Sequence, residues 1–107
     1  MKYQILFTDT AKSDLHNIAV YIFEQSGDKE IAKDFVKELC ERCGRLEDYP
    51  QMGATPKDRV LLSSEYRFLV HKEYLIFYTA DEVCKKVYVH AIFNGKRDYT
   101  RVLKKII

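Results

Sequence analysis

Two amphipathic helices joined by only three residues constrain this chain more than any other feature. Thr8, Asp9 and Thr10 offer N-caps, and after them Ala11, Leu15, Ile18, Ala19 and Ile22 recur on one helical face. Ser26-Gly27-Asp28 breaks the pattern. Gly27 suits the left-handed turn that ends a helix, and Asp28 suits the cap of the next. A second helix is predicted from residue 29 to about 47, with Ala32, Phe35, Leu39, Cys43 and Leu46 on its buried stripe. Its wet face carries Lys33, Lys37, Glu41 and Arg45, and Pro50 stops it. So short a connection makes the pair an antiparallel hairpin, whose apolar side needs a second layer.

That layer is predicted to be a sheet. Residues 3–7 alternate as a short strand, with Tyr3, Ile5 and Phe7 opposite Gln4. Residues 51–58 read as a loop, and 60–62, 66–70, 74–79 and 86–93 as strands, the last two paired through a turn at Ala80-Asp81-Glu82. Residues 99–107 read as a short C-terminal helix or tail over the sheet, with Tyr99, Val102, Leu103 and Ile106 on one side. The fold class is α+β, in the order β-α-α-β-β-β: an N-terminal strand, the helical hairpin, then a three-stranded antiparallel stretch. The 107 residues form a single domain, 1–107. A hairpin on one face leaves the other face of so small a sheet uncovered, and an apolar surface of that kind invites a partner segment.

Charge is distributed unevenly. Residues 1–56 carry 7 basic and 10 acidic side chains, residues 57–82 carry 4 and 5, and residues 83–107 carry 7 and 1, so the last quarter holds +6 of a net +2. Such asymmetry marks an anionic-partner surface or serves solubility alone. Lys96, Arg97, Arg101, Lys104 and Lys105 supply five of those 7 basic side chains, and Lys85 and Lys86 the other two. Arg67 lies in an apolar strand, where an unpaired guanidinium is costly. It either faces a polar site or pairs with Asp98 or Glu65. His71 and His90 have side chains suited to acid-base work near neutrality.

Cys40 and Cys43 form a C-x-x-C, but one deep inside the second helix, where packing is expected rather than redox or metal chemistry. Cys84, in the hairpin turn, is expected to be an exposed thiol. Three cysteines do not make a disulfide scaffold, and with no secretory or membrane-spanning stretch the expected location is the cytoplasm. No cofactor is implied.

Several short motifs, in order, resemble the RelE/ParE superfamily of type II toxin-antitoxin toxins. They are Ala11-x-x-Asp14-Leu15-x-x-Ile18-x-x-Tyr21, Leu46-x-x-Tyr49-Pro50-x-x-Gly53, Tyr66-Arg67-x-Leu69, Tyr74-x-Ile76-x-Tyr78 and Ile92-Phe93-x-x-Lys96-Arg97-Asp98-Tyr99. The resemblance implies a growth-inhibiting toxin, bound in a hetero-oligomer by a cognate antitoxin with an acidic segment. Its target would be DNA gyrase, as for ParE, or ribosome-bound mRNA, as for RelE.

The nuclease branch uses basic residues on a concave sheet face. Arg67 and Arg97 match two of those positions, whereas Leu69, Leu75 and Leu103 stand at three others. A leucine neither binds phosphate nor moves a proton, so the ParE branch fits better. If the chain is a nuclease, Arg67, Arg97, His90 and Tyr99 are its candidate catalytic residues, with His71 and Lys72 also near in sequence. If it acts by binding, Arg67, Lys96, Arg97, Arg101, Lys104 and Lys105 are the candidate contacts.

Overall fold

The computed structural model describes residues 2–98. The elements are β1 (Gln4–Phe7), α1 (Asp9–Ser26), α2 (Lys29–Gly44) with a 3-10 turn at Arg45–Glu47, α3 (Arg59–Ser63), β2 (Arg67–His71), β3 (Tyr74–Asp81) and β4 (Lys86–Asn94). The sheet order is β1-β4-β3-β2, with β1 parallel to β4 and the other neighbours antiparallel. The α+β order expected from the sequence holds. The segment expected to form the C-terminal helix lies outside the described residues.

Local chemistry explains the helix ends. Thr8 accepts the Ala11 N–H at 3.1 Å, and Asp28 accepts that of Glu30 at 2.8 Å. Between the two helices Gly27 takes φ 69°, which only glycine adopts without strain, and its N–H closes on the Phe23 carbonyl at 2.7 Å. Ala11, Ile18, Leu39, Cys43 and Leu46 then meet Leu69, Ile76, Tyr78, Val87, Val89 and Ile92 in the main core.

One expected strand is a helix. Residues 60–62 lie within α3, because the Asp58 side chain accepts from both the Val60 and Leu61 amides (2.9 and 3.2 Å) and starts a helical turn. α3 alters the expectation of a bare far face. It drives Leu61, fully buried, against Phe77, Ala91 and Phe93. Phe68, Phe77 and Phe93 stack across three strands at 5.6 and 5.5 Å, so the centre of this face is closed. The expected turn at residues 80–82 also shifts. β3 runs on to Asp81, whose carboxylate takes the Val83 and Cys84 amides to form the turn beyond it.

The loop before α3 is strapped to the sheet. The Tyr78 hydroxyl donates to the Pro50 carbonyl and accepts the Gly53 N–H, both at 2.9 Å, while Ala54 and Phe68 exchange two backbone bonds. A Cβ at Gly53 would lie 2.6 Å from the Tyr78 oxygen and 2.9 Å from the Phe68 carbonyl.

β4 outruns β1, and its open edge is completed by α1. β1 pairs only as far as Val89. Beyond it the Thr8 hydroxyl donates to the His90 carbonyl at 3.2 Å, and an Asp14 carboxylate oxygen accepts the Ile92 N–H at 2.9 Å. His90 is an extra residue in β4, since Val89 pairs with Tyr78 and Ala91 with Phe77. Its ring turns to the far face, with Nε2 2.8 Å from the Thr79 hydroxyl and its edge against Tyr66. Burial lowers its pKa from the ordinary 6.5.

Three outcomes are expected from urea unfolding. Gly53→Ala lowers stability by about 1–3 kcal/mol, because the strap must move. Asp14→Ala costs about 1–3 kcal/mol by orphaning the Ile92 amide. Because folded His90 resists a proton that the unfolded chain accepts, wild-type stability falls as pH drops through about 6.5 and levels off below the depressed folded value. His90→Gln removes that component of the pH dependence.

Candidate functional site

The candidate residues fall at opposite ends of the sheet. Arg67 and His90 lie toward the hairpin end of the sheet, on opposite faces, and Lys96 and Arg97 lie beyond the other end of β4. Tyr99, Arg101, Lys104 and Lys105 lie outside the described residues. Arg67, His90 and Arg97 therefore do not converge on one reacting centre.

Arg67 reaches the loop before α3. Its guanidinium Nη1 donates to the Gly53 carbonyl at 3.0 Å and the Gln51 carbonyl at 3.4 Å, joining the strap that holds the loop. Of the two alternatives, a polar site or an ion pair with Asp98 or Glu65, the contacts here are polar backbone ones, and the Asp98 carboxylate meets Arg97 at 3.3 Å. Leu69 is only 2% exposed and packs toward the helices, while Leu75 joins the far-face cluster.

Beside Arg67 the far face opens into a cleft of about 740 Å³, bordered by Tyr66, Tyr88, Glu65, Asp81 and Glu82. The backbone amide of Cys84, above all, holds the Asp81 carboxyl below the usual range, so it is ionised at neutral pH. Three acidic side chains thus border the cleft beside Arg67, with Lys86 opposite Asp81 on the neighbouring strand. His90 has its Nε2 occupied by Thr79 and its ring between Tyr66 and Tyr88 (5.1 and 6.4 Å). That placement suits packing.

His71 and Lys72 are drawn away to α2. Both reach the Glu38 carboxylate, at 3.1 and 3.3 Å, and these bonds hold Glu38 below its ordinary pKa. Cys43 is buried, and desolvation pushes its thiol up to about 12. Cys40 is raised by the same cause. Thiols so hard to ionise suit packing rather than nucleophilic or ligand chemistry. Cys84 is exposed. Among the described residues no group of three or more His, Cys, Asp or Glu converges as a metal site, and no helix is long and apolar enough to cross a membrane.

Two features escaped the sequence reading. One is the seat of Arg97, whose guanidinium carbon lies 4.4 Å from the centre of the Tyr21 ring. The other is an apolar groove of about 450 Å³ on the outer side of the helical hairpin. Leu15, Ala19, Val20, Phe23, Ala32 and Val36 line it, and Lys29 and Lys33 stand among them. Val20 and Phe23 are 41% and 40% exposed. Their presence off the buried stripe of the first helix was the available signal.

Comparison with known proteins fits this geometry. Residues 5–99 match the family model described as ParE toxin of the type II toxin-antitoxin system parDE. A chain of the chromosomal ParDE system from P. aeruginosa superposes with a TM-score of 0.72 at 19% identity, over 87% of this chain and 96% of that one. A chain of the RelBE2 toxin-antitoxin complex from Mycobacterium tuberculosis gives 0.61 at 21% identity, over 88% and 99%. A mutant of E. coli toxin RelE in the free state gives 0.59 at 14% identity over the whole of both chains. No curated protein sequence matches significantly. The solved structures share the fold, and the family match extends over nearly the whole chain: it belongs to the ParE toxin family of type II toxin-antitoxin systems.

Proposed function

We propose that this toxin inhibits growth by binding and poisoning DNA gyrase, without chemistry of its own. The observation that carries this reading is the charge of the far-face cleft. Glu65, Asp81 and Glu82 border it, and Arg67 is turned to loop carbonyls. A ribosome-dependent nuclease needs cations there to orient phosphate and offset developing negative charge. Five of the chain's 18 Lys and Arg residues, Lys96, Arg97, Arg101, Lys104 and Lys105, fall instead within ten residues of sequence near the C-terminal end. Positive charge gathered in that way suits contact with an anionic surface such as gyrase-bound DNA.

In the same reading, a cognate antitoxin neutralises the toxin with an acidic amphipathic segment. The hairpin groove supports this, since its floor is apolar and the charged residues lining it are lysines. The ParDE and RelBE2 structures matched by the fold are named as toxin-antitoxin systems.

On induction in a bacterial host, DNA double-strand breaks and filamentation are expected, with transcripts intact. Purified protein is expected to block gyrase supercoiling. Supercoiling unaffected by excess toxin, or codon-phased mRNA cleavage abolished by Arg97→Ala, would overturn the reading. For the groove, Phe23→Asp is expected to weaken antitoxin binding at least about tenfold, as loss of an apolar anchor does. Isothermal titration of wild type and variant against the adjacent open reading frame product measures this.

A further inference from the structure

Two motifs far apart in the chain meet in a single contact. Tyr21 closes the first motif and Arg97 lies in the last, and the stacking of their side chains ties α1 to the end of β4. Tyr21 is 38% exposed and lies off the buried stripe of its helix, so core packing does not account for it.

The backbone under Arg97 is fixed. The Asn94 side-chain oxygen accepts the Lys96 and Arg97 amides at 3.0 and 2.8 Å, and the Asp98 amide returns to the Asn94 carbonyl at 2.9 Å. Asn94 is itself buried, and the Gly95 N–H donates to the Glu73 carbonyl at 2.8 Å. The guanidinium is also constrained on two sides, by the Tyr21 ring at its face and the Asp98 carboxylate at Nε. Its charge reaches the Tyr74 hydroxyl too, pulling its pKa down against the dominant raising effect of burial. A free arginine samples many rotamers and must give them up to bind, whereas one already stacked on a ring loses little.

Building on the gyrase reading above, we propose that Tyr21 is a positioning residue for target binding. It holds Arg97 in one orientation. Arg97 makes the contact with an anionic group of the target, and Tyr21 acts through it.

The test compares Tyr21→Leu, which removes the aromatic face, with Tyr21→Phe, which keeps it. In NMR spectra of the full chain, the Arg97 side-chain protons are expected to show an upfield ring-current shift in wild type and Tyr21→Phe, and to lose it in Tyr21→Leu. The toxin concentration for half-maximal gyrase inhibition is expected to rise roughly three- to tenfold in Tyr21→Leu and to stay near wild type in Tyr21→Phe, with the melting temperature of both unchanged. Identical Arg97 shifts in wild type and Tyr21→Leu would overturn the proposal. So would full potency of Tyr21→Leu, or equal loss of potency in both variants. The NMR arm needs no target and by itself decides whether Tyr21 holds Arg97. Wild-type protein that leaves gyrase untouched would overturn the target reading, and with it the binding half of this proposal.

Discussion

The fold depends on how the long central strand β4 is satisfied along its open side. β1 covers only its first half, and an amide left bare in the second half would cost about 1–3 kcal/mol. Thr8 and Asp14, from the cap and second turn of α1, supply the missing partners at His90 and Ile92. Those bonds set the position of α1 over the sheet. α2 follows, because the two-residue connection of Gly27 and Asp28 folds it back against α1. The main core then forms where Ile18 and Leu39 meet Ile76 and Val89.

Once the layers are set, Glu65, Asp81 and Glu82 gather at the hairpin end of the far face, with Lys86 opposite Asp81. Arg97 stands beyond the opposite end of β4, against Tyr21 of α1 and paired with Asp98. The third surface, on the outer hairpin, is apolar with lysines beside it. In the proposed reading, the apolar surface serves the neutralising partner and the Arg97 end serves the target. Among the described residues, Arg67, His90 and Arg97 do not share one cleft. The two arginines that sequence reasoning grouped together have different tasks: Arg67 straps a loop, and Arg97 stands exposed on an aromatic ring.

Much of the fold was legible because both signals that build it are local. Period and capping located α1 and α2, and alternation located β2, β3 and β4 to within a residue or two at most ends. Residues 60–62 misled because Val-Leu-Leu is too short to show a period, and the deciding interaction is the Asp58 cap two residues earlier. The role of Arg67 was illegible in principle, since its partners are backbone carbonyls 14 and 16 positions away. Tyr21 was visible as part of a motif, but its reason was not, because its partner belongs to the other end of the chain. The basic segment beyond Asp98 was read from composition alone.

The extra residue in β4 has an evolutionary consequence. Val89 lies on the helix side, His90 and Ala91 both lie on the far side, and Ile92 returns to the helix side. Were residue 90 deleted, the strand would alternate regularly and Val89, Ala91, Ile92 and Phe93 would all keep their faces. Position 90 is thus a guest in the pairing scheme, held by Thr8 and Thr79 but not needed for register. It is a place in β4 where a lineage can insert or remove a residue on the far face without moving any residue of either core.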